Sequence, residues 1–288
     1  MSSARAHRSL AGRRPMTIAV IGGGLMGVSL SYFLSQAGHR VVLYEASDQI
    51  GGLAGTIRLG DVEVDRFYHI ILSSDTHMQA LAYELGLAGR LRFRATGSAF
   101  FHQGRLYPMT TVRDFLTFPP LRPLDRLRLG LTILAAYLHR DWRHLEEIDV
   151  ERWLVRWGGR RAFQHLWRPM LRAKFDGCFE ELPATYIWAR LIRTRSTRRG
   201  ATQQEQAGYL VGGHMTLIRA MAQAITRAGG EIRLRTPVQE VILEEGRVVG
   251  VRVDGAAEPC SPCTHPWSPA CSPGWRAPGS RTCGRGAT

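Results

Sequence analysis

Residues 16–27, MTIAVIGGGLMG, decide the fold of this chain. The apolar, β-branched run IAVI is typical of a buried parallel strand. Gly22, Gly24 and Gly27 follow with the spacing G-x-G-x-x-G, which permits a tight turn, a close approach of phosphate to the backbone and close helix–strand packing. The predicted helix over 25–37 presents its positive N-terminal end to that phosphate. The stretch therefore predicts a strand, a turn and a helix that bind a dinucleotide.

An acidic residue at the end of the next strand supports this prediction. The segment HRVVLYEA predicts a second strand, and Glu45 follows Gly24 by about the twenty residues expected for a carboxylate that binds a ribose 2′-hydroxyl. A carboxylate in that place repels a 2′-phosphate and disfavours NADP. The alternative is a glycine-rich turn in a fold that binds no nucleotide.

A second glycine pair distinguishes among dinucleotides. The segment EASDQIGGLAGT resembles the flavin-binding signature of the superfamily of protoporphyrinogen oxidases, flavin amine oxidases and phytoene desaturases. The resemblance implies FAD, held in a GR2-type Rossmann-like domain. Leu53 stands where many amine oxidases have an arginine, which points away from typical monoamine oxidases. The implied cofactor contacts are Gly22, Gly24, Leu25, Met26, Gly27, Glu45, Ala46, Gly51, Gly52, Leu53, Ala54, Gly55, Thr56 and Val238.

The segment FYHI supplies the candidate for a residue beside the flavin. It is similar to a histidine-bearing loop that lies near the flavin ring in this superfamily and in the related UDP-galactopyranose mutases. His69 is therefore the flavin-proximal candidate. The alternative, given equal weight, is a histidine that hydrogen-bonds to the backbone and takes no part in chemistry. No catalytic residue is assigned beyond this candidate.

The pattern along the chain predicts an α/β fold. A Rossmann-like FAD-binding domain in two sequence segments, 16–92 and 207–255, encloses an inserted, mainly helical substrate domain at 93–206. Helices are predicted there over 125–138, 150–157, 162–175 and 184–193. A disordered leader is predicted at 1–15.

Residues 256–288 have a different composition from the rest of the chain. They contain six prolines, four cysteines and no Val, Ile, Leu, Met or Phe, so they are predicted to be a disordered and possibly frameshifted tail that leaves the chain truncated. Sequencing the gene downstream tests this. Cys260, Cys263, His265, Cys271 and Cys283 offer zinc ligands, but their spacing matches no known finger, and we predict no metal site.

The net charge and the hydropathy of the chain restrict which partners the sequence predicts. The formal net charge is +14, carried almost entirely by arginines spread along the chain without a nucleic-acid-binding motif. We expect a cytoplasmic protein with a small-molecule substrate, no nucleic-acid partner and an oligomeric state that the sequence does not specify. The segment LRLGLTILAAYLHR, 127–140, fits either a buried core helix, which is favoured, or a helix in peripheral contact with a membrane.

The resemblance, which covers residues 17–255, implies an activity. The flavin would accept a hydride equivalent from a C–N or C–C bond of an unidentified substrate. Two alternatives stay open. One is a non-redox flavoenzyme related to UDP-galactopyranose mutase, and the other is an inactive, truncated homologue.

Overall fold

The computed structural model describes residues 14–67, 69–109, 113–114, 117–139, 141–197 and 206–261, without the side chains of 194–197. The chain divides into two compact units. The described residues of the first unit lie within Met1–Ile71, Asp75–Arg92 and Gly208–Thr282, and those of the second within Leu72–Ser74 and Phe93–Ala207. Most of the predicted leader and the tail beyond residue 261 lie outside the described residues.

The first unit contains β1 (Thr17–Ile21), α1 (Leu25–Gln36), β2 (Arg40–Tyr44), α7 (His214–Arg227) and β10 (Glu231–Arg233). Its three strands form a parallel β-sheet in the order β1-β2-β10. Strand β1 leads through the glycine turn into helix α1, which returns the chain to β2, and helix α7 precedes β10. Val41 and Leu43 are buried on one face of the central strand and Val42 and Tyr44 on the other, as expected for a strand covered on both faces.

An antiparallel sheet packs beside the parallel one. Its strands, in the order β11-β12-β13, are Val238–Glu244, Arg247–Val253 and Ala256–Pro259. Val251 and Val253 pack against Val42 and Tyr44 of β2 in one buried cluster, which joins the two sheets.

The last strand corrects the predicted boundary of the disordered tail. Ala256–Pro259 pairs with β12, and Ser261 exchanges hydrogen bonds with Thr17 at the start of β1. Glu258 accepts hydrogen bonds from Tyr44 (2.8 Å) and Arg233 (2.5 Å). Backbone pairing and charge therefore order a segment that has no large apolar side chain.

The remaining strands are short and paired. Strands β3 (Thr56–Leu59) and β4 (Val62–Asp65) form a hairpin. A three-stranded sheet has the order β5-β9-β6, and helix α2 follows β5 in sequence. These elements are β5 (Ile71–Leu72), α2 (Thr76–Glu84), β6 (Leu91–Ala95) and β9 (Gln206–Leu210).

The second unit is mainly helical. Among its described residues, a hairpin of β7 (Ala99–His102) and β8 (Arg105–Pro108) precedes four α-helices around a core that includes Phe118, Phe163 and Phe179. The helix predicted over 162–175 is instead a π-helical turn followed by an α-helix. The helical elements are α3 (Pro123–Leu138), α4 (Val150–Ala162), the π turn (Phe163–Trp167), α5 (Arg168–Phe175) and α6 (Thr185–Thr197).

Helix α3 is only partly the core helix that was favoured from its sequence. Leu129 and Ala136 are buried on one face. The opposite face exposes five leucines, Leu124, Leu127, Leu131, Leu134 and Leu138, to between 46% and 71%. A segment apolar on nearly all sides therefore has an inner and an outer apolar face. Within the described residues, no helix has the length and apolar character needed to cross a bilayer.

Candidate cofactor site

The first glycine turn joins β1 to α1. Gly22 has a φ of +98°, a conformation that residues with a Cβ rarely adopt. A Cβ on Gly27 would lie 1.9 Å from the carbonyl oxygen of Gly22, so glycine is required for α1 to pack on the turn. A Cβ on Gly24 would meet no atom within 4 Å. The surface at Gly24 is therefore open to a group that approaches from outside.

The second glycine pair lies directly against the first turn. Gly51 donates a backbone hydrogen bond to the carbonyl of Gly23 (2.8 Å) and forms a parallel bridge with Gly24. A Cβ on Gly52 would lie 3.2 Å from the Cα of Gly24. Two glycine-rich segments that are separate in sequence therefore form one bare backbone surface, which we call the glycine cradle (Gly22–Gly24 with Gly51–Gly52).

Glu45 ties the cradle to the end of β2. Its carboxylate accepts the backbone N–H of Gly23 (2.5 Å) through Oε2 and that of Ser47 (2.8 Å) through Oε1. Partial burial acts to raise the pKa of this carboxyl, but the N–H groups donated by Ser47 and Gly23 outweigh it and hold the pKa below its ordinary value. Glu45 is therefore ionised at neutral pH, with acceptor capacity left for a hydroxyl group.

The other residues implied by the resemblance fall into three groups. Leu25, Met26 and Leu53 are exposed beside the cradle, to 38%, 84% and 71%. Ala54, Gly55 and Thr56 are buried beneath it, and Ala46 is exposed after Glu45. Val238 is half-buried at the start of β11 and packs against the cluster that joins the two sheets.

These residues fit a dinucleotide. The N-terminus of α1 has neither a side-chain cap nor an acidic residue in its first turn, so its positive end is available to a phosphate. The Cβ-free surface at Gly24 lets a pyrophosphate reach the backbone, and the ionised Glu45 can accept a ribose hydroxyl. Exposed Met26 and Leu53 offer apolar cover.

His69 lies in the loop after β4, next to two residues that the sequence analysis missed. Its ring centroid is 4.8 Å from that of His214, and the Nδ1 of His214 is 3.6 Å from Oδ2 of Asp65. Burial and the neighbouring His69 lower the pKa of His214, although the Asp65 carboxylate opposes this shift. A signal for His214 was its place directly after Gly212 and Gly213 at the start of a predicted helix.

The sequence of this chain is similar to those of known flavoenzymes. The sequence pattern of the family described as flavin containing amine oxidoreductase matches residues 27–260. The zeta-carotene desaturase of Arabidopsis thaliana is 25% identical over 270 residues, which cover 84% of this chain and 47% of that protein. The 15-cis-phytoene desaturase of Synechococcus elongatus is 24% identical over 263 residues, which cover 83% of this chain and 54% of that protein.

A solved structure shows the same fold. Wild-type putrescine oxidase bound to putrescine aligns with a TM-score of 0.57 at 18% identity, over 83% of this chain and 56% of that one. The shared architecture therefore mixes helices and strands in the manner of amine oxidase-type flavoproteins. The chain spans about half the length of the curated relatives it matches.

Proposed function

The chain belongs to the flavin containing amine oxidoreductase family, and on that premise we propose that it binds FAD and serves as an oxidoreductase. The family description implies a flavin. The finer assignment to FAD is carried by one observation, the glycine cradle with Glu45 at its edge. FAD has the pyrophosphate and the adenosine ribose that this arrangement suits, whereas FMN has neither.

The side chains of the site have distinct tasks in this proposal. The N–H groups at the start of α1 bind the pyrophosphate, and Glu45 orients the ribose through a hydrogen bond that its carboxylate accepts. Met26 and Leu53 exclude water from the bound group. When bound, FAD supplies a hydride acceptor for a C–N or C–C bond of a small-molecule substrate.

The first experiment is the visible absorption spectrum of the purified chain, followed by release and mass analysis of the cofactor. We expect a flavin spectrum and release of FAD. A colourless protein that takes up no FAD on reconstitution would refute the proposal, and release of FMN would refute the finer assignment.

The activity is tested by anaerobic reduction of the bound flavin. Amines, porphyrinogens and polyenes are the panel that the family suggests, and loss of the oxidised flavin band identifies the substrate class. A flavin-loaded chain that none of them reduces would favour the inactive homologue instead.

We also propose peripheral membrane contact, because a specific surface favours it. The leucine stripe of α3 (Leu124, Leu127, Leu131, Leu134 and Leu138) repeats at intervals of three and four residues along one exposed face. Exposed Arg122 and Arg128 lie on the same helix or at its cap. An apolar face with basic residues beside it is complementary to an anionic bilayer surface.

Co-sedimentation with vesicles tests this contact. We expect the chain to bind vesicles that contain phosphatidylglycerol and to bind pure phosphatidylcholine weakly. Leu127→Glu with Leu131→Glu should abolish the binding, whereas Leu106→Glu, at an exposed leucine of β8 outside this stripe, should not. Equal binding by both variants would refute a role for α3.

A further inference from the structure

Three side chains from two separate segments of the first unit converge beside Gly213. Asp65 is the last residue of β4, His69 lies in the loop that follows, and His214 is the first residue of α7. One potential ligand atom from each lies within 4.8 Å of the others. His214 is buried and the other two are half-buried. We call this group the Asp65–His69–His214 cluster.

We propose that the Asp65–His69–His214 cluster binds a divalent transition-metal ion. Two imidazole nitrogens and one carboxylate oxygen are a donor set suited to Zn²⁺, Co²⁺, Fe²⁺ or Ni²⁺, whereas Mg²⁺ and Ca²⁺ prefer oxygen ligands alone. Three protein ligands leave at least one coordination position open to water or to a small molecule. The proposal concerns this cluster alone and does not rest on the proposed function.

The spacing of the cluster is close to what such a site requires. Metal–ligand bonds of about 2.0–2.2 Å place neighbouring ligand atoms roughly 3.3–3.5 Å apart. The widest pair in the cluster would therefore close by at most roughly 1.5 Å, which rotation of the two histidine side chains can supply.

The hydrogen bonding of the cluster is incomplete at His69. The Nδ1 atom of His69 is buried and has no hydrogen-bond partner among the residues that the structure describes. A buried ring nitrogen without a partner is costly, and a metal ion would satisfy it. The contact of 3.6 Å between His214 Nδ1 and Asp65 Oδ2 is likewise longer than an ordinary hydrogen bond.

The backbone holds Asp65 and His214 in place. The N–H of His214 donates to Oδ1 of Asp65 (3.3 Å), which leaves Oδ2 directed toward the imidazole. Gly213 has a φ of +74°, and a Cβ there would lie 2.5 Å from Oδ1 of Asp65. A glycine therefore brings the start of α7 against the carboxylate, and the two ligands are pre-positioned before any ion binds.

The test is a metal titration of the full chain after treatment with EDTA. The cysteines are first alkylated with iodoacetamide, because Cys260 and the other cysteines of the C-terminal segment could bind metal themselves. Co²⁺ binding is followed by its ligand-field absorption and Zn²⁺ binding by calorimetry. We expect one ion per alkylated chain, with the spectrum of nitrogen and oxygen ligands.

Substitutions identify the ligands. His69→Ala and His214→Ala should each weaken binding by at least about tenfold, since loss of even an outer-shell partner costs about 10–100-fold. Asp65→Asn retains an acceptor for the N–H of His214 but loses the charge, and should also weaken it. His77→Ala, at an exposed histidine of α2, is the matched control and should bind as the wild type does.

A second measurement uses the wild-type chain, so its result does not depend on whether the substituted chains fold. Zn²⁺ should protect the half-buried His69 of the wild-type chain from diethyl pyrocarbonate, as mapped by mass spectrometry, while His77 is modified equally with and without the ion. Absence of ligand-field bands in the alkylated chain would overturn the proposal. Modification of His69 to the same extent with and without Zn²⁺ would overturn it as well.

Discussion

Alanine substitutions at Gly24 and Gly27 separate the two roles of the first glycine turn. A methyl group at Gly27 would lie 1.9 Å from the carbonyl oxygen of Gly22 and 3.1 Å from its carbonyl carbon. A methyl group at Gly24 would have no protein atom within 4 Å. Gly27→Ala should therefore disturb the fold, and Gly24→Ala should disturb only the group that the cradle binds.

The size of the effect at Gly27 follows from the overlap. A carbon and a carbonyl oxygen normally approach no closer than about 3.3 Å, so α1 must move from the turn by roughly 1.4 Å. Such overpacking typically costs about 1–3 kcal/mol. In a chain of this size, each kcal/mol lowers the melting temperature by roughly 2–4 °C. Gly24→Ala at the cap of α1 should cost less than about 1 kcal/mol.

The assay combines stability with cofactor content. Urea and thermal unfolding of the two variants are compared with Gly89→Ala, whose methyl group would also meet open space and whose φ is not positive. FAD per chain is measured by release. We expect Gly27→Ala to melt several degrees lower. In chains stripped of flavin, we expect Gly24→Ala to melt with the control, and after reconstitution we expect it to retain less FAD than the control. A Gly27→Ala variant as stable as wild type, or a Gly24→Ala variant with full FAD, would refute the reasoning.

Three further outcomes follow from contacts elsewhere in the first unit. The pKa of Glu45 in the folded state lies below its ordinary value of 4.5. The ionised carboxylate therefore stabilises the fold above pH 4.5, and this contribution is lost as the pH falls through the folded-state pKa. Glu45→Gln should flatten the decline of the urea midpoint below about pH 5. Glu258→Gln, which weakens the contacts of β13, should cost about 1–2 kcal/mol in urea unfolding. Glu240→Gln, in an exposed ion pair of the same sheet, should cost less than about 1 kcal/mol. Equal costs for Glu258→Gln and Glu240→Gln would contradict the stabilising role given to Glu258. A chain ended after Gly255 should melt lower than one ended after Ser261, because it lacks β13 and the bonds to β1; equal melting would show that the strand contributes nothing.

Local features were predictable because neighbouring residues determine them. The glycines at 22, 24 and 27 require a tight turn and a close helix whatever surrounds them, so the strand, turn and helix follow from twelve consecutive residues. The hairpin of β7 and β8 follows likewise from its turn at Gln103 and Gly104, both with positive φ. In these places the residues that dictate the backbone conformation are the same residues that adopt it.

Other features depended on partners far away in the chain. Strand β13 has no apolar pattern, and its order comes from pairing with β12 and from the contacts of Glu258 with Tyr44 and Arg233. The two apolar faces of α3 could not be told apart by composition, since only packing decides which leucines are covered.

The sequence by itself determined the glycine turn after β1, the acid at Glu45 and the second glycine pair, because each is set by short spacings along the backbone. Only the tertiary structure brought His214 to Asp65 across 149 residues of chain and placed His69 beside them. The physical reason is that no local spacing links His214 to the segment that carries Asp65 and His69. Their meeting depends on α7 starting against the end of β4, which the packing of the whole unit decides.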